Sequence, residues 1–147
     1  MILKPDLQQN ARNKLKDAKV LLDNRRYASS IYLAGYAVEM ALKYRICKLM
    51  RFNQGFPEDK VEFNVYVLKS RGLLKATIKD LKEIKNHDLN KLLFYSGLEL
   101  PIRHSYGMEW TIVSSWSFHM RYATTVIRKT TAQHFYNAAG TIVNQLL

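Results

Sequence analysis

Glu39 and Lys43 are the two residues whose types and spacing most directly suggest chemistry. They lie four positions apart in an apolar stretch that also contains Val38, Met40 and Leu42. Glu four residues before Lys is the favourable order for an ion pair on a helix. In apolar surroundings a carboxylate keeps its charge only when it is paired and hydrogen-bonded. The pattern therefore favours a buried structural pair, and it leaves open a polar patch on the wall of a binding groove.

The familiar motifs of nucleotide, zinc and serine chemistry are absent from the sequence. It contains no GxxxxGK[ST], GxGxxG, HExxH or GxSxG segment. No two histidines have the four-residue spacing that lets a helix present two imidazoles to a metal. We therefore predict no metal site and no cofactor. An ATP-driven enzyme, a zinc hydrolase and a serine hydrolase are all disfavoured.

Two long helices are predicted to position Glu39 and Lys43. Residues 5–23 place apolar side chains three or four positions apart, which is typical of an amphipathic helix. Residues 26–50 are apolar nearly all round, which is typical of a central helix. Gly35 in the middle of the second helix costs about 1 kcal/mol relative to alanine. We therefore expect another part of the chain to lie very close to it.

The segment after the second helix is predicted to be less regular. Residues 52–57 contain Asn, Gln, Gly and Pro and predict a loop. Apolar and polar side chains then alternate over residues 61–67, which predicts a strand. Apolar residues between Leu74 and Ile84 predict a helix.

The remainder of the chain is predicted to be helical. A short helix carries Leu89, Leu92 and Leu93, with Asn86 or Asp88 as its cap. Another helix, over residues 108–119, directs Trp110, Val113 and Trp116 inward. The last helix begins at Thr124 or Thr125 and continues to the end. Its apolar side is predicted to contain Val126, Ile127, Thr130, His134, Phe135, Ala138, Ile142 and Leu146.

These elements predict an all-α fold. At 147 residues and 48% hydrophobic composition, the chain is one domain long and too apolar to be disordered. We predict a single domain over residues 1–147, an up-and-down bundle of four to five helices. The excursion over residues 52–85 is inserted between the second and later helices. A lone cysteine, Cys47, is typical of a reducing cytoplasm, and we find no targeting segment or membrane span.

Positive charge is the strongest feature of the composition. Lys and Arg number 23 against 12 Asp and Glu, which gives a net charge of +11 and a pI near 9.8. A domain with a pI above about 9 often binds nucleic acid. No acidic residue follows Glu109. The charge leaves two interpretations open, a polyanion-binding surface and a basic surface that only keeps the protein soluble.

Three segments, in this order, resemble the HEPN family (higher eukaryote and prokaryote nucleotide-binding domain). Residues 21–43, LLDNRRYASSIYLAGYAVEMALK, are similar to the first half of such a domain. Residues 87–93, HDLNKLL, resemble its His-Asp-Leu segment at the start of a later helix. Trp116 followed by Arg121 and Tyr122 resembles its Arg-Tyr segment before the final helix. The 52–85 excursion has no clear counterpart.

The resemblance implies a helical bundle, often dimeric, of a kind found in bacterial defence and toxin–antitoxin systems. Many members are metal-independent endoribonucleases, and others bind nucleotides or RNA or are non-catalytic partners of nucleotidyltransferases. Active members carry Arg, four to six residues, then His. Their His acts as acid or base at the ribose 2′-hydroxyl, and their Arg stabilises the developing phosphorane charge.

Arg128 and His134 are the one pair with that spacing, and we take them as the candidate catalytic residues. Nine arginines and four histidines would give about 0.7 such matches by chance. Lys129 stands where active members usually have a small polar residue. On one continuous helix the two side chains would also point roughly 120° apart.

Seven further residues are assigned as candidate binding residues: Arg25, Arg26, Glu39, Lys43, His87, Arg121 and Tyr122. We predict a cytoplasmic, homodimeric, HEPN-like binding or interaction module that acts on or beside RNA or nucleotides, and the sequence leaves open whether it is catalytic. Two alternatives stay open. One is a metal-independent endoribonuclease toxin using Arg128 and His134, and the other is a structural partner of an acidic protein such as an antitoxin or a nucleotidyltransferase.

Overall fold

α-Helices make up most of the computed structural model, which describes residues 1–122 and 124–147. In chain order its elements are β1 (Ile2–Leu3), α1 (Lys4–Asp23), α2 (Tyr27–Leu49), β2 (Gly55–Phe56), α3 (Lys60–Lys69), α4 (Leu74–Thr77), a 3₁₀ turn (Leu81–Glu83), α5 (Leu89–Tyr95), α6 (Glu99–Ser105), α7 (Gly107–Ser114), a second 3₁₀ turn (Phe118–Tyr122) and α8 (Lys129–Leu146). The predicted all-α bundle is confirmed. The two short strands pair antiparallel, with Ile2 opposite Phe56.

The first two helices lie where the sequence predicts them. Pro5 and Asp6 occupy the first turn of α1, where a missing N–H does no harm and a negative charge is stabilised by the helix dipole. At the other end of α1, the side-chain amide of Asn24 donates to the Val20 carbonyl oxygen at 2.8 Å. Arg25 then takes a left-handed conformation, with φ 61°, and α2 begins two residues later.

α2 is the central helix, as its composition predicts. It packs against α1, α5 and α8, and most of its side chains are buried. A Cβ atom at Gly35 would lie 2.2 Å from Cδ1 of Trp116, so the predicted close contact is confirmed. The neighbouring helices therefore cover the greater part of the apolar surface of α2.

The predicted strand over residues 61–67 is wrong. This segment forms α3, because the Asp59 side chain accepts a hydrogen bond from the Glu62 amide at 2.8 Å and so caps a helix. Its buried side chains are Phe63 and Tyr66, three positions apart as on a helix face, while Val61 and Val65 are exposed.

The apolar stripe after α3 does not form one helix. The chain makes the short α4 and then a 3₁₀ turn, which begins where the Asp80 carboxylate accepts from the Lys82 amide at 2.8 Å. The stripe is nevertheless buried, as predicted, at Leu74, Ile78, Leu81 and Ile84.

The helices that follow the excursion are shorter than predicted. The Asp88 side chain caps α5 by accepting from the amides of Asn90 and Lys91, which confirms one of the two predicted caps. α6 was not predicted, and Pro101 lies inside its first turn. α7 ends at Ser114 rather than continuing to residue 119, although Trp110 and Trp116 are buried as predicted.

α8 begins four to five residues later than predicted. Residues 124–128 are not helical, and Val126 is 94% exposed rather than part of the core. The run of β-branched residues from Thr124 to Ile127 favours helix weakly, which explains the late start. Thr130 and His134 are exposed as well. The remaining predicted core positions of α8 are buried: Phe135, Ala138, Ile142 and Leu146.

Among the described residues, no helix combines the length and the apolar character needed to span a membrane.

Candidate functional site

Glu39, Lys43 and His87 form one hydrogen-bonded group, which we call the Glu39 cluster. Glu39 is completely buried on α2, and its Oε1 accepts from Lys43 Nζ at 2.6 Å. Lys43 is only 6% exposed, so the predicted buried pair is confirmed. The second carboxylate oxygen, Oε2, lies 2.9 Å from Nδ1 of His87, just before α5. Because a carboxylate oxygen accepts, Nδ1 carries the proton, and Nε2 of a neutral ring is left as an acceptor.

A small cavity of about 190 Å³ opens beside the Glu39 cluster. Tyr36, Glu58 and Lys85 contribute to its wall together with the three cluster residues. Burial raises the pKa of the Tyr36 phenol, and the nearby Glu39 carboxylate adds to the rise. Lys85 Nζ donates to the Glu58 carbonyl oxygen at the rim. Neither Tyr36 nor Lys85 belongs to a sequence motif, and only the fold brings them to His87.

The 3₁₀ turn before α8 adds two more predicted residues, Arg121 and Tyr122, to this side of the molecule. Phe118 stacks on the His87 ring with the centroids 4.1 Å apart and the planes 9° from parallel. The Arg121 guanidinium lies 4.1 Å from the Phe118 ring centre and 4.5 Å from that of Tyr122. The structure therefore brings five of the seven candidate binding residues into one connected group, through a Phe118 that sequence reasoning missed.

The other two candidate binding residues lie at one end of the bundle, where the α1–α2 turn meets the start of α8. Arg25 and Lys129 line a cavity of about 420 Å³, which also contains Tyr27, Gln133 and one acid, Asp23. That acid is already paired with Lys19, at 2.5 Å. Arg25 and Arg26 line a neighbouring cavity of about 330 Å³.

We call the surface formed by Arg25, Arg26, Arg128 and Lys129 the basic end. Arg128 is the residue that precedes the first turn of α8, and all four side chains are exposed. The described residues include no hydrogen bond or ion pair to these side chains. The basic end therefore presents four cations whose charge is available to a ligand.

The candidate catalytic pair is placed at the start of α8 and not at the Glu39 cluster. Arg128 has extended backbone angles, φ −76° and ψ 149°, so the pair does not lie on one continuous helix. The predicted 120° between the two side chains therefore does not hold, because the extended backbone at Arg128 sets the direction of its side chain. His134 is exposed on α8 one turn beyond Lys129 and Thr130.

The Glu39 cluster and the basic end offer cations, aromatic rings and the His87 imidazole, beside the carboxylates of Glu39 and Asp23. Among residues 1–122 and 124–147, no three His, Cys, Asp or Glu side chains are grouped so as to hold a metal ion. Cys47 is buried, and burial raises the pKa of its thiol to about 12, so it is not a nucleophile at neutral pH.

Comparison with known proteins finds a similarity in the first third of the chain. The family model of the HEPN domain matches residues 5–52, which are α1, α2 and the start of the following loop. The resemblance drawn from the sequence is thereby confirmed for the segment that carries Arg25, Arg26, Glu39 and Lys43. Searches of curated proteins and of solved structures found no match.

Proposed function

We propose that this protein, whose residues 5–52 match the family model of the HEPN domain, is an RNA-binding module that acts by association rather than by catalysis. The family match supports a role connected with nucleotides or RNA in general. The choice of RNA comes from the chain's own charge, +11, and from where its unpaired cations lie.

The observation that carries the proposal is the basic end. Three of its cations line two adjoining cavities, and one, Arg25, belongs to both. A phosphate backbone needs a series of cations along a groove rather than a single deep pocket. The left-handed backbone at Arg25 turns the chain sharply, and the two arginines line adjoining cavities, Arg25 with Lys129 of α8 and Arg26 with the segment just before α8. We infer that the backbone of a single strand lies across this surface.

Titration of the purified chain with a fluorescently labelled single-stranded RNA tests the proposal. If the chain neutralises about four phosphates, its affinity should fall roughly tenfold to hundredfold between about 50 and 200 mM salt. Fluorescence anisotropy at the two salt concentrations measures the affinity. Affinity that does not change with salt would refute electrostatic binding, and no binding at low salt would favour the acidic-protein alternative.

A ribonuclease that uses Arg128 and His134 is the second candidate. The observation in its favour is that Arg128 has extended backbone just before α8, so helix geometry does not hold its side chain 120° away from that of His134. Lys129 still departs from the family pattern, and we expect no more than very weak cleavage of single-stranded RNA in EDTA. Robust cleavage that disappears in His134→Ala would establish the enzyme and overturn the binding-only proposal.

We also propose that the protein forms a homodimer. Large apolar side chains are exposed on three successive helices, Phe94 on α5, Leu100 on α6 and Met108 on α7. A second copy would remove them from water. Light scattering should give twice the chain mass of 17.2 kDa at micromolar concentration, and the mass of one chain would refute the dimer.

A further inference from the structure

Four side chains form a stacked column: His87, Phe118, Arg121 and Tyr122. The His87 ring and the Arg121 guanidinium each lie 4.1 Å from the centre of the Phe118 ring. Two groups cannot both occupy one face of a ring at that distance, so they cover its opposite faces. Arg121 also lies against Tyr122, at 4.5 Å. The order along the column is therefore imidazole, phenyl, guanidinium and phenol.

The inner end of the column is fixed to the core. His87 is held by its hydrogen bond to the buried Glu39 carboxylate. Phe118 also packs against Tyr32, with the ring centres 6.5 Å apart, and Tyr32 in turn contacts Trp116. The Trp116 indole N–H donates to the Tyr32 carbonyl oxygen at 3.2 Å. The column is therefore preorganised, and a ligand that bound to its outer end would not need to order it.

The outer end of the column faces solvent. Tyr122 is 68% exposed, and Arg121 is exposed beside it. Aromatic rings backed by a guanidinium are the surfaces on which unpaired bases stack, and a neighbouring cation accommodates the adjoining phosphate. No Asp or Glu occurs in the sequence after Glu109, so no acid nearby in sequence repels that phosphate.

We infer that Tyr122 is a stacking platform for an unpaired base of single-stranded RNA, with Arg121 contacting the phosphate next to that base. This inference rests on the proposed function, because it assumes that RNA is the ligand. It adds a site that contacts a base to the basic end, which contacts the backbone. Stacking does not depend on base identity, so the site distinguishes single strands from duplexes and not one sequence from another.

The test uses two labelled oligomers of equal length, an oligoadenylate and an otherwise identical strand whose nucleotides are abasic. Removing the ring in Tyr122→Ala should weaken oligoadenylate binding about tenfold and leave abasic binding unchanged. Tyr122→Phe keeps the ring and should bind like the wild type. The salt dependence of Tyr122→Ala should equal that of the wild type, because stacking releases no counterions. Since Tyr122 is exposed, the melting temperature should not change.

The possible failures are distinguishable. Equal weakening of both oligomers in Tyr122→Ala, or no weakening of either, would overturn the stacking platform while leaving RNA binding in place. Failure of the wild-type chain to bind either oligomer at low salt would overturn the proposed function itself.

Discussion

The Glu39 cluster and the basic end are both made of charged residues on or next to α2, yet they differ in almost every physical respect. In the cluster, both carboxylate oxygens of Glu39 are hydrogen-bonded, and the carboxylate is fully buried. At the basic end, Arg25 and Arg26 are exposed and take part in no ion pair among the described residues.

The contrast shows that one type of residue serves two purposes. Charges that satisfy one another in the interior set the position of α2 against the segment before α5, and they hold His87 in place. Charges left unsatisfied on the surface are available to a partner. The cluster residues and the two arginines of the α1–α2 turn were all predicted as candidate binding residues, and burial separates the Glu39–Lys43 pair from Arg25 and Arg26.

The largest expected effect comes from breaking the buried pair. Glu39→Gln keeps the shape of the side chain but leaves the Lys43 ammonium buried without a counter-charge. Removing one partner of a buried pair costs about 3–5 kcal/mol of the free energy of unfolding. The matched control is Glu99→Gln, which breaks the exposed pair with Arg103 and should cost less than about 1 kcal/mol. Urea denaturation measures the free energy of unfolding of each variant. Equal losses in Glu39→Gln and Glu99→Gln would show that the Glu39 cluster does not stabilise the fold.

The reactivity of Cys47 measures how firmly α2 is held in the bundle. Because burial raises the pKa of this thiol to about 12, at least a thousandfold less thiolate is present than in an exposed cysteine of pKa about 8.5. A chromogenic disulfide at pH 8 should therefore react at least hundredfold faster in denaturant than with the native protein. Equal rates would mean that α2 opens freely, and Cys47→Ser supplies the blank.

A smaller loss of stability is expected at the tight contact between Gly35 and Trp116. In Gly35→Ala the new methyl would overlap the indole ring, which cannot yield, and such overpacking costs about 1–3 kcal/mol. Gly140→Ala is the control on another helix, α8, where an added Cβ meets nothing within 4 Å. That variant should gain about 0.5–1 kcal/mol from helix propensity alone. Stabilisation by both substitutions in thermal unfolding would contradict the packing described for α2.

The helices of the bundle core could be predicted from the sequence because their signals are local. The apolar stripe of α1, the small residues of α2 and the Asp88 cap of α5 each act within a few residues. The strand predicted over residues 61–67 was wrong because two local signals conflict there. Alternation of apolar residues there coincided with a helix cap at Asp59, and the cap decided the structure.

The candidate site was only partly predictable, because its contacts join distant parts of the chain. Glu39 and Lys43 are neighbours on one helix, and their pairing follows from spacing. The contact between Glu39 and His87 spans 48 positions, and the stacking of Phe118 on His87 depends on a 3₁₀ turn that no pattern indicated. Residue identity suggested the participants, and only the fold shows which of them meet.

The most direct test of RNA binding at the basic end compares two variants with identical net charge. Arg25→Glu with Arg26→Glu reverses two cations at the basic end, and Lys75→Glu with Lys79→Glu reverses two exposed lysines in the 52–85 excursion. The first variant should lose at least tenfold in affinity for single-stranded RNA and should lower the salt slope by about 1.4, since each lost phosphate contact removes about 0.7. The lysine variant should retain nearly all of the affinity and of the salt slope. Equal losses in the two variants would contradict a localised RNA surface and would leave only the overall charge of the chain as the cause of binding.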